Sequence, residues 1–397
     1  MTNSTKAHIA GVGMIPFVKP GTSDEFDVMA AAAAKLALED AGVEYSAIQE
    51  VFAGYVFGDS TCGQKAVYHL GHTGIPVTNV NNNCSTGSTA LYHARRAIEY
   101  GAADCVIAIG FEQMNPGALG KVFQDRSSPF DDFDKLCNEL MGVSDVPSAL
   151  RCFGGAGQSH MQKYGTTLED FAKVRAKASR HAAHNPLALF RNVVSAEDVL
   201  QSHAFWPGVM TKLMACPPTC GAASAILVSS SFAKKHGLRT DVVISAQSMT
   251  TDTPSTFAGK DMMSVAGYDM SKKAGLQVFE AAGIGPADVD VVELHDCFAH
   301  NELITYEALG LCGEGEAQRY IADGDNTYGG AHVTNPSGGL LSKGHPLGAT
   351  GLAQCFELTK QLRGEAGERQ VEDARVALQH NIGLGGACVV TLYEKHA

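Results

Sequence analysis

Cys84 lies in NVNNNCSTGSTALYHARRAIEY (79–100), among small and polar residues and directly before a run of helical periodicity. Ala90, Leu91, Ala94, Ala97 and Ile98 recur at three- and four-residue steps, with Arg95, Arg96 and Glu99 on the other face. The thiol therefore sits near a helix N-terminus, where partial positive charge lowers its pKa and favours the nucleophilic thiolate. GIPVTNV just upstream reads as a short buried strand, so strand, polar turn and helix would present the sulfur at a bend. The competing reading is a small core residue, because free cysteine is among the most buried types. The polar, glycine-containing surroundings favour the nucleophile.

Three stretches of the C-terminal half hold groups that could serve such a sulfur. VVELHDCFAHNEL (291–303) puts His295, Asp296, Cys297 and His300 at the end of a buried strand, where a loop can project them. NPSGGLLSKGHPLGATG (335–351) places His345 between glycine and proline, ahead of a second helix. QHNIGLGGACVV (379–390) sets His380 and Asn381 in a glycine-rich turn, where backbone N–H groups can approach a ligand. Each alone has an ordinary structural explanation, a satisfied strand-end histidine or a chain reversal. Together they supply a thiol near an imidazole, the minimum set for an activated sulfur nucleophile. Cys216 and Cys220 (CPPTC) are the closest cysteine pair without a second pair nearby, so no metal is expected there.

The scaffold that must bring these residues together is an α/β one. A chain of 397 residues suggests two or three packed units, and 45% apolar with 18% charged residues is a globular composition. A net charge of -12 argues against a general nucleic-acid binder. Eleven cysteines without regular spacing argue for a reducing compartment. Neither a targeting segment nor an apolar run of roughly 20 residues is evident, so no membrane span is expected. A cytoplasmic location is the default; a peroxisomal one would apply in a eukaryote, although YEKHA is not an S-K-L address.

HIAGVG (8–13) reads as a first strand whose G-x-G lacks the rest of a dinucleotide fingerprint. Residues 26–41 form an Ala-rich helix stopped by Gly42, and ADCVIAIGFE (103–112) reads as a strand covered on both faces. The second half repeats the first. Residues 27–56 align with 268–297 at an offset of 241, pairing Ala41-Gly42 with Ala282-Gly283. CSTGSTAL aligns with GATGLAQC at an offset of 264, pairing Thr86-Gly87 with Thr350-Gly351, and GAASAILV (221–228) resembles GACVVTLY (386–393). Three matches in one order imply two structurally equivalent halves with an active site where they meet. The domain reading is a first half at 1–117 and 208–238, an inserted mostly helical region at 118–207, and a second half at 239–397.

Cys84 with Ser85, HDCF at 295–298, G-H-P at 344–346 and the NIGLGG turn together resemble the thiolase superfamily. The likeness is to the sterol-carrier-protein type, whose hallmark is HDCF where other thiolases have NEAF. It runs from the first strand to the last. The resemblance implies two duplicated α/β halves in a five-layer αβαβα arrangement with an inserted helical loop domain. It also implies thiolytic cleavage of 3-oxoacyl-CoA, with Cys84 as nucleophile, His345 as its base, and the Cys84 and Gly383 amides as one oxyanion hole. His295 and His345 would hold the enolate oxygen. Most thiolases carry an acid/base cysteine where this chain has Asn381, and the resemblance passes that role to Cys297. No tightly bound cofactor is implied; coenzyme A would be a co-substrate, acyl-CoA the other, and a homodimer or a tetramer the assembly. The family binds CoA with its loop domain, where Arg151, Lys163, Lys173, Arg175, Lys177, Arg180 and Arg191 are among the available basic residues. The alternatives are a condensing enzyme of the ketoacyl-synthase or hydroxymethylglutaryl-CoA-synthase kind, or a non-catalytic acyl-CoA-binding protein.

Overall fold

The computed structural model describes residues 6–116 and 123–396. In the first half, β1 (Ala7–Met14), α1 (Phe26–Ala41), β2 (Glu50–Gly54), β3 (Val77–Val80), α2 (Thr86–Glu99) and β4 (Cys105–Glu112) precede the inserted region. That region holds α3 (Asp131–Met141), α4 (Ser148–Tyr164) and α5 (Leu168–Ala182), and β5 (Gly221–Ser229) then completes the half. The second half runs β6 (Val242–Thr250), α6 (Tyr268–Ala282), β7 (Val291–Glu293), α7 (Ala299–Ala308), β8 (Val333–Thr334), α8 (Thr350–Arg363), β9 (Val376–Gly383) and β10 (Ala387–Lys395).

The strands follow the order β8-β7-β9-β10-β6-β1-β5-β4-β2-β3. Read outward from the middle, each side repeats the other in order and direction. The halves join where β1 meets β6 antiparallel at the single pair His8↔Val243. The repeats found in the sequence coincide with equivalent elements: α1 and α6 end at Gly42 and Gly283, both left-handed, at φ 69° and 71°.

Helices α2 and α8 lie side by side between the two halves. One apolar cluster joins Leu91 and Ile98 of α2, Leu352 and Leu358 of α8, and strand residues of both halves. The outer helices α1 and α6 cover the opposite faces, which gives five αβαβα layers. Small residues permit this spacing. A Cβ on Gly11 of β1 would lie 2.3 Å from the Ala37 carbonyl of α1, and one on Gly351 of α8 would lie 2.2 Å from the Ser88 nitrogen of α2. The repeated Thr-Gly pairs thus mark where the central helices touch. Gly351→Ala is expected to cost about 3 kcal/mol, because backbone rather than a movable side chain blocks the methyl. Chemical denaturation checks this; an unchanged midpoint would mean that the helices separate freely.

The structure corrects one expectation. The GIPVTNV strand is not buried: β3 is an edge strand of the sheet, with intermediate and exposed residues. The inserted region interrupts the first half in sequence and packs on the second. Phe153 stacks on Phe298 at 5.2 Å, and Phe171 and Val174 share a core with Leu303, Leu340 and Ile382. It therefore roofs the loop that carries Cys297.

Candidate active site

Cys84 stands between β3 and α2, two residues before the helix begins. The preceding residue, Asn83, has φ +50°, a left-handed conformation that asparagine tolerates better than most residues. Its side chain donates to the Leu384 carbonyl at 3.2 Å, tying the Cys84 bend to the β9–β10 turn of the other half. Gly383 packs beneath that turn, and a Cβ there would lie 2.1 Å from the Asn82 carbonyl. The amides that reach the sulfur are those of Leu384 and of Cys84 itself.

His295 and His345 come from the second half. The Cys84 sulfur and one nitrogen from each imidazole lie within 4.8 Å of one another, all three residues buried. The two rings meet edge to face, 5.0 Å between centroids. A sulfur and two imidazoles also form a ligand set that a zinc-like cation accepts.

The environment of His345 fixes its tautomer. Thr350 Oγ1 donates to the Pro346 carbonyl at 2.9 Å, which leaves that oxygen as acceptor for His345 Nδ1–H at 2.7 Å. The Nε2 lone pair remains, and Nε2 is buried without a hydrogen-bond partner among the described residues. This is the group a sulfhydryl proton can move to. Burial and the nearby Lys343 ammonium hold the imidazole down at about 3, so it stays a neutral base across the physiological range.

The thiol itself departs from the sequence expectation. The helix start does not leave a ready thiolate: burial, reinforced by the Glu112 carboxylate, pushes Cys84 up to about 12 against the pull of its two amides. The resting pair is thiol and neutral imidazole. Glu112, at the end of β4, accepts from the amides of Val56 at 3.1 Å, Phe57 at 2.9 Å and Gly348 at 3.0 Å, and burial raises it to about 7. Its burial and triple hydrogen bonding are invisible in a strand-end glutamate read from sequence. Since Glu112 is ionised at pH 8 and protonated below pH 6, Glu112→Gln is expected to speed iodoacetamide alkylation of Cys84 several-fold at the higher pH only. Mass-spectrometric rates at both pH values check this; equal acceleration at both would show that charge is not the cause.

Cys297 is 4% exposed, and its carbonyl accepts from the Cys216 amide at 2.9 Å. Burial raises its thiol well above the usual range, with Cys216 and then Cys84 adding repulsion, which places the three sulfurs in one region. The CPPTC stretch is thus part of the site rather than a separate feature. It pairs Ala215 with Phe298 and Pro218 with His345, and Thr219 Oγ1 accepts from the His345 amide at 3.1 Å. Cys220 turns away and accepts from the Met114 amide at 3.2 Å.

The other polar residues of the HDCF stretch have supporting roles. Asp296 accepts from the Leu340 and Leu341 amides at 2.6 and 3.3 Å, fixing the loop that leads to His345. Burial and Glu302 lift it to about 8. His300 does not join the cluster: it donates to the Val209 carbonyl at 2.7 Å and packs on Phe171. His380 lies behind the site, with Nε2 2.9 Å from Ser271 Oγ and Nδ1 accepting from the His295 amide at 3.5 Å.

Three of the seven basic residues considered for CoA are buried in internal bonds rather than on solvated helix faces. Arg151 bonds the Cys137 carbonyl, Arg175 bonds Ser342, and Lys177 bonds Glu302 and Thr334. Lys163 and Lys173 pair with Glu314 and Glu169. Arg180 and Arg191 are exposed.

A buried thiol from one half is met by imidazoles from its duplicate across paired central helices, and the chain belongs to the thiolase family. The family model of the thiolase N-terminal domain matches residues 8–198, and that described as thiolase C-terminal domain-like matches 251–393. The chain is 55% identical over 394 residues to sterol carrier protein 2 of Oryctolagus cuniculus, covering 98% of this chain and 72% of that one. It is 34% identical to benzoylsuccinyl-CoA thiolase subunit BbsB of Thauera aromatica, covering 96% of this chain and 95% of that one. The solved structure of an Ltp2-ChsH2(DUF35) aldolase shares the fold, with a TM-score of 0.82 at 22% identity over 98% of both chains. No helix among the described residues is long and apolar enough to cross a membrane.

Proposed function

We propose that this protein cleaves 3-oxoacyl-CoA with CoA, giving acyl-CoA and acetyl-CoA, or propionyl-CoA from 2-methyl substrates. The observation that carries the reading is the buried cluster of the Cys84 sulfur with one nitrogen each from His295 and His345, beside a His345 Nε2 that has no hydrogen-bond partner among the described residues. His345 Nε2 accepts the Cys84 proton while the sulfur bonds to C3 of the substrate. The oxyanion at C3 meets backbone donors at the Cys84 bend and the 383–384 turn, each such donor being worth around 3 kcal/mol in related chemistry. C3 then regains its carbonyl, the C2–C3 bond breaks, and the electron pair moves onto the acetyl thioester as an enolate.

His295, with His345 now carrying the extra proton, stabilises the enolate oxygen. Cys297 gives its proton to C2, and acetyl-CoA leaves. The Cys297 thiolate takes the proton of incoming CoA, whose sulfur attacks the acyl-Cys84 carbonyl. Cys84 departs as thiolate and recovers its proton from His345. Every group returns to its starting state. In the reverse direction the same groups perform a Claisen condensation.

Coenzyme A is a co-substrate in this scheme, and Arg180 and Arg191 are two exposed basic residues of the inserted region open to its phosphates. A homodimer belongs to the reading: β3 has an unpaired outer edge among the described residues, open to a second copy. The reaction is tested by incubating the protein with 3-oxooctanoyl-CoA and CoA. Hexanoyl-CoA and acetyl-CoA are expected in equal amounts. Consumption of malonyl-CoA without thiolysis would assign a condensing enzyme, and binding without turnover a carrier.

A further inference from the structure

An imidazole can donate or accept at Nε2, and only the donor form can stabilise an enolate oxygen while neutral. We propose that Gln379, Ser88 and Asn381 form a positioning relay that keeps the proton of His295 on Nε2, so that this ring meets the substrate as a hydrogen-bond donor. The relay is read from hydrogen bonds alone; its catalytic consequence rests on the thiolysis reading.

The logic starts at a group that can only accept. The Gly351 carbonyl lies 2.7 Å from Gln379 Nε2, and the Tyr393 hydroxyl bonds Gln379 Oε1, which settles the orientation of the Gln379 amide. The second hydrogen of that amino group faces Ser88 Oγ at 2.8 Å, with Gln354 Oε1 a more distant acceptor at 3.2 Å. Ser88 in turn directs its own hydrogen to Asn381 Oδ1 at 2.8 Å. With its oxygen occupied, Asn381 presents its amino group to His295 Nδ1 at 2.9 Å. An N–H aimed at Nδ1 requires a lone pair there. The ring proton is therefore on Nε2.

Ser88, Gln379 and Asn381 are all 0% exposed, so bulk water cannot offer a substitute partner. The opposite tautomer would set an N–H against an N–H in a closed space. The same bonds disfavour a metal ion at His295 Nε2, which would have to drive the proton onto Nδ1. The relay also spans the duplication: Ser88 lies on α2 of the first half, Gln379 and Asn381 on β9 of the second, and Gly351 on α8. Thr350 imposes the reverse arrangement on His345, so two adjacent histidines are held as one base and one donor.

The test is 15N NMR of histidine-labelled protein, with the His295 signals assigned by their loss in His295→Gln. Wild type is expected to show protonated Nε2 and bare Nδ1. Asn381→Asp places a carboxylate oxygen at Nδ1 and is expected to reverse the two signals. In that variant, exchange of the C2 protons of acetyl-CoA falls by about 100-fold or more, the scale of losing one oxyanion donor. Acylation of Cys84 falls several times less. Ser88→Ala, a smaller change that frees Asn381 to turn, yields a mixture of tautomers and about a tenfold loss of exchange. Protonated Nδ1 in wild type would overturn the proposal, as would an unchanged tautomer in both variants. If the signals behave as expected but no 3-oxoacyl-CoA is cleaved by wild type, the relay stands and the thiolysis reading falls.

Discussion

Replacing Cys84 with alanine is expected to lower the proposed thiolysis of 3-oxoacyl-CoA by at least about 10⁵-fold, the scale seen when an enzyme loses its nucleophile. The size of the effect follows from the lack of a substitute. Cys297 and Cys216 are in the same region, yet the amides of Leu384 and Cys84 face only the sulfur at 84. Neither of the other thiols belongs to the buried cluster of Cys84 with His295 and His345. The substitution removes one atom from a site already surrounded by small residues, so the thermal midpoint is expected to stay within about 3 °C, about 2.5 kcal/mol for a chain of this size. Acetyl-CoA release at saturating CoA, measured beside thermal unfolding, checks both parts. Thiolysis retained within tenfold of wild type would remove Cys84 from the mechanism.

Replacing Cys297 with alanine separates the two half-reactions. Acylation of Cys84 by acyl-CoA needs His345 and the backbone donors and should persist. Protonation of C2 needs a group that can give up a proton to carbon, and its loss is expected to slow overall thiolysis by about 10³-fold, within the usual range for a general acid. Loss of C2 proton exchange with acetyl-CoA is the direct readout. The buried, strongly raised thiol suits this role, because a weak acid beside a carbanion gives its proton only when the stronger base has formed. Wild-type exchange in Cys297→Ala would move the acid/base to another residue, with Cys216 the neighbour to examine first.

The duplicated fold was legible because its repeats carry backbone requirements. Gly42 and Gly283 end equivalent helices in the left-handed region, and Gly87 and Gly351 sit where the central helices touch. Cys84, His295, His345 and Cys297 were legible from their neighbours, since glycines, prolines and short polar runs at strand ends mark loops that face a midline. What the sequence could not show is partnership at a distance. Glu112 looks like an ordinary strand end until three amides from two segments converge on it. Ser88 and Gln379 look like helix and strand residues until the halves come together. His300 was misplaced because its position beside HDCF says nothing of the Val209 carbonyl that captures it. The thiol pKa was misjudged for a related reason: a helix start is local, whereas burial by the second half is not.

The account depends on an acyl group passing through the sulfur at position 84. Mixing the protein with a 3-oxoacyl-CoA in the absence of free CoA, quenching in acid and mapping peptides by mass spectrometry tests this directly. The Cys84 peptide should gain the mass of the shortened acyl group, and later addition of CoA should discharge it as acyl-CoA. Turnover with an unmodified Cys84 peptide, or an acyl group found on Cys216 or Cys297 instead, would contradict it.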